Sequence, residues 1–204
     1  MPRVKIPIVT GESYHSYNRG VDKRKIFLDK YDYIRFYQSL YLFNSVEPIT
    51  NFRLAKINDT SQETKRLVEI KAYSLLPNHY HLILKQVSEG GIGEFLRRVG
   101  GGYTSYFNEK YKRSGSLFQG TFKRVHISNE EQMQYVFAYV NENHSVHDLL
   151  MERELYHSSS IHYQGKRKSQ VIEHESKGCY PLLENIELAK DIYQRRKSMK
   201  DLLE

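Results

Sequence analysis

The sequence predicts an α+β protein, because segments with the two-residue alternation of β-strands are separated by segments with the spacing of amphipathic helices. Ser13 to Asn18 is a tyrosine-rich run followed by Arg19-Gly20, which predicts a first strand that ends in a turn. From about Asp29 to Phe43, large apolar side chains recur every three or four residues. This spacing predicts a first helix.

Two further strands are predicted to form a hairpin. A polar connection, roughly residues 44–66, leads into the apolar run from Leu67 to Leu76. The turn-forming pair Pro77-Asn78 joins that run to His79 to Gln86. A short turn between two adjacent strands is typical of a hairpin.

A second helix is predicted from Ile92 to about Tyr111, after a turn at Gly90-Gly91. It contains the run Gly100-Gly101-Gly102, and each glycine costs about 1 kcal/mol of helix propensity relative to alanine. We therefore expect a kink, or two shorter helices.

The last elements of the pattern are a strand and a helix. The strand is predicted around Phe122 to Ile127. Ser128, with Glu131 three residues later, forms a capping box that opens a helix to about Asn143. The order is β-α-β-β-α-β-α, and its first six elements predict a ferredoxin-like (split βαβ) sandwich. In that fold an antiparallel sheet has helices on one face and leaves the other face open.

Length and composition predict one domain with an appendage. The chain has 204 residues and 39% hydrophobic residues, enough for a core. We assign residues 1–148 to the main domain and the more polar, basic residues 149–204 to a C-terminal helical appendage, ending in a helix from about 183 to 203. Cys179 is the only cysteine, which excludes an internal disulfide and a cysteine-based zinc cluster.

Hydropathy favours a soluble protein. No apolar run approaches the roughly 20 residues that cross a bilayer, and the N-terminus lacks the apolar segment of a secretory signal. We therefore expect a cytoplasmic protein with no membrane partner.

The charge predicts a polyanionic partner. There are 31 Lys and Arg against 24 Asp and Glu, a net charge of +7, and the basic residues occur in clusters among 17 tyrosines. Neutralising phosphates releases counterions, and tyrosine rings stack on unpaired bases, so nucleic acid is the leading partner. The alternative is an ordinary solvated surface with half-buried packing tyrosines.

Two histidines occupy alternate positions of a predicted strand. His79 and His81 should therefore project from one face, while Tyr80, Leu82 and Leu84 pack on the other. Two imidazoles at this spacing can converge on one cation. A polar, solvated sheet face is the alternative interpretation.

The last predicted helix presents a polar aromatic face. Tyr135, Tyr139 and Asn143 are four residues apart and lie along one side, next to an apolar stripe that would pack on the protein. This face is either directed at a polar site or is the ordinary boundary of an amphipathic helix.

Four separated blocks of the chain, within about Tyr14 to Val146, resemble the HUH single-tyrosine transposases, and among them the REP-associated tyrosine transposases. The blocks are Tyr17-Asn18-Arg19-Gly20-Val21-Asp22-Lys23-Arg24-Lys25-Ile26-Phe27, Leu76-Pro77-Asn78-His79-Tyr80-His81-Leu82, Tyr103-Thr104-Ser105-Tyr106-Phe107-Asn108 and Gly115-Ser116-Leu117-Phe118-Gln119-Gly120-Thr121-Phe122-Lys123.

The resemblance implies a site and a reaction. The family's tyrosine motif is similar to Tyr139 through Asn143, which implies Tyr139 as the nucleophile of a 5′-phosphotyrosine intermediate. His79, His81 and Asn143 would bind a divalent metal, Mg²⁺ or Mn²⁺. Relatives usually have proline after that asparagine, where this chain has His144.

The implied partner is single-stranded or hairpin DNA, which would associate the protein with the nucleoid. Asn18 and Arg19 are expected at the DNA or, alternatively, as caps of the turn before Gly20. A homodimer is left open. Two other functions also stay open, an HUH replication initiator or relaxase and a non-catalytic nucleic-acid-binding module. The residues predicted to bind DNA are Asn18, Arg19, Lys23, Arg24, Arg97, Arg98, Lys112, Arg113, Lys123 and Arg124.

Overall fold

The computed structural model describes residues 7–47, 65–143, 157–163, 169, 171 and 172. The elements are β1 (Ser13–Arg19), a 3-10 turn (Val21–Lys23), α1 (Lys30–Leu42), β2 (Val68–Leu76), β3 (His79–Gln86), α2 (Gly91–Lys110), β4 (Lys123–Ile127), α3 (Glu130–Asn141), β5 (His157–Ser158) and α4 (Ser160–Tyr163). The predicted order of strands and helices is confirmed. Within the described ranges, no helix combines the length and the apolarity that crossing a membrane requires.

The strands form one antiparallel sheet in the order β4-β1-β3-β2-β5. The pairing of β1 with β3 sets Tyr17 opposite His81 and Arg19 opposite His79. Because side chains alternate along a strand, these four residues share one face of the sheet. The register therefore gathers polar side chains at one end of that face.

The turn between β2 and β3 is held by the segment that follows β1. The carbonyl oxygen of Pro77 accepts hydrogen bonds from the backbone N–H groups of Ile26, at 2.7 Å, and Phe27, at 3.1 Å. The N–H of Gly20 donates to the carbonyl oxygen of Asn78 at 2.9 Å. The start of β3 is thus fixed to residues 20–27.

The main core lies between the sheet and helices α1 and α2, as the α+β prediction requires. Asp29 caps α1 by accepting from the N–H groups of Tyr31 and Asp32, in a capping box with Asp32. Tyr80, Leu82 and Leu84 of β3 point into this core, and their exposed fractions are 2% or less. The predicted fold class is confirmed.

Helix α3 lies on the opposite face of the sheet, a departure from the prediction of helices on one face. Ile83 points away from the main core and meets Ala72 and the apolar stripe of α3, which includes Val136 and Phe137. Burying this stripe against the second face removes apolar surface from water. Helix α3 therefore covers the apolar part of this second face, and the end of the face that carries His79 and His81 lies beside α3.

Helix α2 is continuous, so the predicted kink or break at the triple glycine is wrong. A Cβ on Gly102 would lie 2.7 Å from Cε2 of Phe43, so glycine permits α1 and α2 to pack closely at that point. Packing of an apolar face supplies most helix stability in proteins, and here it overrides the low propensity of glycine.

The predicted capping box of α3 is also wrong. Asn129 is the N-cap, and its Oδ1 accepts from the N–H of Gln132 at 2.8 Å. The backbone N–H of Ser128 donates instead to Oε1 of Gln132, at 2.8 Å. Asparagine is at least as good an N-cap as serine, which explains a start one residue later.

Part of the C-terminal segment packs on the domain. Ser158 of β5 pairs with Ser74 of β2, and the hydroxyl of Tyr73 contacts Nε2 of His162 at 2.8 Å. Val171 and Ile172 join the main core. The division near residue 149 stays a prediction, and the helix predicted from 183 to 203 lies outside the described residues.

Candidate active site

His79 is half-buried at the start of β3, and its ring is oriented by Asn78. Nδ1 of His79 lies 2.6 Å from Oδ1 of Asn78, and Nδ2 of Asn78 donates to the carbonyl oxygen of Lys23 at 3.3 Å. The second bond fixes which end of the amide faces the histidine. Because a carboxamide oxygen only accepts, Nδ1 of His79 carries the proton, and the lone pair of the neutral ring is on Nε2.

His81 is buried and lies against a third histidine, from β1. Nε2 of His15 and Nδ1 of His81 are 2.8 Å apart, and the exposed fractions of the two residues are 4% and 6%. The ring centroids of His79 and His81 are 5.0 Å apart, at an interplanar angle of 84°. The two predicted histidines therefore share one face, as predicted.

Tyr139 lies beside these histidines. Its ring meets the His81 ring edge-on, with 5.5 Å between centroids, and the His15 ring at 6.1 Å. Met133, Val136, Phe137 and Val140 anchor α3 on the sheet, which leaves Tyr139 at the border of the apolar cluster. One chain thus brings the tyrosine and the histidine pair together.

A cavity of about 320 Å³ opens over this group. Three basic side chains, Arg19, Lys23 and Lys123, lie on its wall. Nε of Arg19 donates to Oε1 of Gln119 at 2.5 Å, and Nδ2 of Asn18 donates to the carbonyl oxygen of Gly120 at 3.1 Å. The lining residues are Tyr17, Asn18, Arg19, Lys23, Asn78, His79, His81, Gln119, Lys123 and Tyr139.

Two predicted DNA-binding residues of α2 lie away from the cavity. Arg97 and Arg98 bind the carboxylate of Glu94, at 2.7 Å and 2.6 Å, and lower the pKa of Glu94 to about 2. Arg98 also donates to the carbonyl oxygen of Ser45 at 2.7 Å. Both arginines belong to the helix layer behind the sheet.

Four other basic residues are also absent from the cavity wall, namely Arg24, Lys112, Arg113 and Arg124. Arg113 donates to Oδ1 of Asn108 at 2.6 Å and to the carbonyl oxygen of Ser116 at 3.0 Å, so it holds the loop after α2. Arg124 is next to Lys123 on β4 and therefore points to the other face of the sheet. That these four residues bind DNA stays a prediction.

Asn143 is fully buried just beyond α3 and does not line the cavity. Neither polar atom of its amide has a hydrogen-bond partner within the described residues. A buried amide without a partner costs about 1–3 kcal/mol, and coordination of Oδ1 by a cation would offset that cost. The described residues contain no group of three or more His, Cys, Asp and Glu that could hold a metal ion. Imidazole nitrogens and an amide oxygen are donor types that divalent cations accept, and the place of Asn143 as a third ligand beside the histidines stays a prediction.

Four residues of the site were not predicted from the sequence, namely His15, Tyr17, Asn78 and Gln119. Alternation along β1 does indicate that His15, Tyr17 and Arg19 share a face. The sequence pattern does not give the register between β1 and β3, which is what brings this face to His81.

Fold and site together define a class, an antiparallel α+β domain in which a helix tyrosine stands beside a histidine pair in a basic cavity. Residues 46–143 match the family model described as "Transposase IS200 like". The matched range contains His79, His81 and Tyr139. The predicted resemblance is confirmed, because this region is similar to the IS200-like transposases.

A solved structure shares the fold. It is described as "Structure of the REP associates tyrosine transposase bound to a REP hairpin", and it superposes with a TM-score of 0.55 at 14% sequence identity. The alignment covers 86% of this chain and 96% of that chain. No curated protein sequence matches the chain significantly.

Proposed function

We propose that this protein is a metal-dependent tyrosine transposase that cleaves and rejoins single-stranded or hairpin DNA. The observation that carries the proposal is the position of Tyr139, whose ring is 5.5 Å from that of His81 at the wall of one basic cavity. The family match over residues 46–143 supports the reaction class, and the hairpin in the neighbouring solved structure supports the substrate.

In the proposed reaction, Tyr139 is the nucleophile. Its hydroxyl gives up a proton to solvent, and the phenolate oxygen attacks the scissile phosphorus. The bond from phosphorus to the 3′ oxygen breaks, and that oxygen takes up a proton and leaves as a 3′-hydroxyl. The product is a 5′-phosphotyrosine. The 3′-hydroxyl of another strand reverses the step and releases Tyr139, so rejoining needs no ATP.

His79, His81 and Asn143 are proposed to hold Mg²⁺ or Mn²⁺. The Nδ1–H of His79 is directed at Asn78, so its Nε2 is the nitrogen that can bind a cation. When bound, the cation supplies Lewis-acid polarisation of the phosphate oxygens. Asn143 would contribute Oδ1, an oxygen ligand of the kind that Mg²⁺ prefers.

The cavity wall is proposed to hold the DNA strand. Arg19, Lys23 and Lys123 provide positive charge for phosphates on either side of the scissile bond. Tyr17, half-buried on the same wall, offers a ring on which an unpaired base can stack. This combination favours single strands and hairpin ends over uninterrupted duplex.

Covalent trapping tests the proposal. Purified protein is mixed with hairpin oligonucleotides and Mn²⁺ or Mg²⁺, denatured in detergent and examined for DNA attached to protein. We expect an adduct that Tyr139→Phe and His79→Ala each abolish. Tyr135→Phe is the matched control, because Tyr135 lies one turn earlier on α3 and does not line the cavity.

The alternatives predict different results. A non-catalytic binding module would retain the hairpin without any adduct. An adduct that survives Tyr139→Phe would assign the nucleophile to another tyrosine. A replication initiator or relaxase would form an adduct on an origin-like strand and none on hairpins.

A further inference from the structure

We infer that His15 is a positioning residue that accepts a hydrogen bond from Nδ1–H of His81 and thereby keeps the Nε2 lone pair of His81 available for a divalent cation. The inference rests on the proposed metal site and adds to it a residue that contacts neither the DNA nor the cation. It begins with the 2.8 Å contact between Nε2 of His15 and Nδ1 of His81.

A contact between two ring nitrogens has only two neutral arrangements. If Nε2–H of His15 donates, then the proton of His81 is on Nε2, and neither nitrogen of His81 has a lone pair left for a cation. If Nδ1–H of His81 donates, then Nε2 of His81 has the lone pair. Only the second arrangement is compatible with a metal ligand at His81.

His79, the other proposed ligand, also carries its proton on Nδ1, because of its contact with Asn78. His79 donates from Nδ1 to the amide oxygen of Asn78, which cannot donate in return. Both histidines then present Nε2, and their rings are 5.0 Å apart at an angle of 84°. A hydrogen-bond acceptor on the outer nitrogen is the usual support of a metal-binding histidine.

Strand pairing explains the position of His15. His81 is opposite Tyr17 in the β1–β3 ladder, and His15, two residues before Tyr17, is its diagonal neighbour on the same face. The His15 and His81 rings are close to parallel, with an interplanar angle of 19°, and both residues are buried. Burial excludes water as a competing acceptor and strengthens the bond.

Metal binding without DNA tests this role. Mn²⁺ affinity is measured by electron paramagnetic resonance of the free ion, on protein first stripped of metal. We expect His15→Leu to weaken Mn²⁺ binding by about 10- to 100-fold, the usual effect of losing such a support. His15→Gln, whose amide oxygen can accept from His81, should restore most of the affinity. His126→Leu is the matched control, because His126 is an exposed strand histidine paired with Glu12.

A second readout reports the tautomer directly. Long-range ¹H–¹⁵N spectra of the ring nitrogens should show His81 protonated at Nδ1 in the wild type. The inference is overturned if His81 is protonated at Nε2, if His15→Leu binds Mn²⁺ like the wild type, or if His15→Gln is as weak as His15→Leu while both variants stay folded.

The same measurements distinguish failure of the proposed metal site from failure of the role of His15. If the wild type binds no Mn²⁺, or if His79→Ala binds it unchanged, then the proposed metal site is wrong, and the role of His15 falls with it. If His79→Ala loses Mn²⁺ and His15→Leu does not, then only the role of His15 is wrong.

Discussion

Replacing Lys110 by methionine should destabilise the domain strongly, because Lys110 is the cation for a buried carboxylate. Its Nζ lies 2.7 Å from Oδ1 of Asp32, whose side chain is completely buried, and 2.8 Å from Oδ2 of Asp29. Burial opposes the charge of Lys110, but the hydrogen bonds to the two carboxylates outweigh it and hold the pKa of Lys110 above its usual value. The cluster ties the N-terminus of α1 to the end of α2.

The size of the stability loss follows from the buried Asp32 carboxylate, which is left without its cation. Removing one partner of a buried ion pair costs about 3–5 kcal/mol, and the lower end applies because the Lys110 side chain is 27% exposed. A loss of about 3 kcal/mol lowers Tm by about 6–12 °C in a domain of this size. Lys112→Met is the matched control, because Lys112 is exposed just beyond the helix and should change stability by less than about 0.5 kcal/mol.

Urea unfolding at pH 7, followed by circular dichroism, measures the loss. Adding Asp32→Asn to Lys110→Met should recover part of the stability, because the uncompensated charge is then removed. A loss below about 1 kcal/mol for Lys110→Met would refute the reasoning. So would a double variant that is less stable than Lys110→Met alone.

Three further predictions concern other parts of the domain. Gly91→Ala should lower the free energy of unfolding in urea by about 3 kcal/mol, because its Cβ would collide with a backbone carbonyl just before β2. Gly93→Ala has open space around its Cβ and should raise the free energy of unfolding by about 0.5–1 kcal/mol. Equal effects of the two substitutions would contradict this reasoning. Mixing Tyr139→Phe with His79→Ala protein should not restore the DNA adduct, because one chain supplies both groups; restored adduct would indicate a site shared between two chains. Glu94→Gln should cost about 0.5 kcal/mol at pH 7, since the folded pKa of Glu94 lies near 2. This contribution is complete above the unfolded pKa and disappears as pH falls towards 2, so a cost that persists in acid would refute it.

The sequence predicted those elements whose signals are local. The bounds of β3 agree with the structure, because the Pro77-Asn78 turn and the alternation after it are both short-range features. The continuity of α2 was not predictable in this way, because the contact of Gly102 with Phe43 joins positions far apart in the chain. The same is true of α3, since its apolar stripe does not specify which face of the sheet it covers.

The candidate site divides in a similar way. His79, His81 and Tyr139 were predicted from their motifs, and the structure brings them together. His15 was not, because its contact with His81 depends on strand pairing between residues 66 positions apart. The pairing of Arg97 with Glu94 was within reach of the sequence, since residues three apart on a helix are neighbours.

The hydrogen bonds between residues 20–27 and the β2–β3 turn have a consequence for how this domain can change. Lys23 borders the cavity with its side chain, and its carbonyl group holds Asn78, which in turn orients His79. A substitution in residues 20–27 that changes the proposed contact with DNA can therefore also change the orientation of His79. In the proposed reaction, DNA preference and cleavage rate are therefore expected to change together when residues 20–27 are substituted.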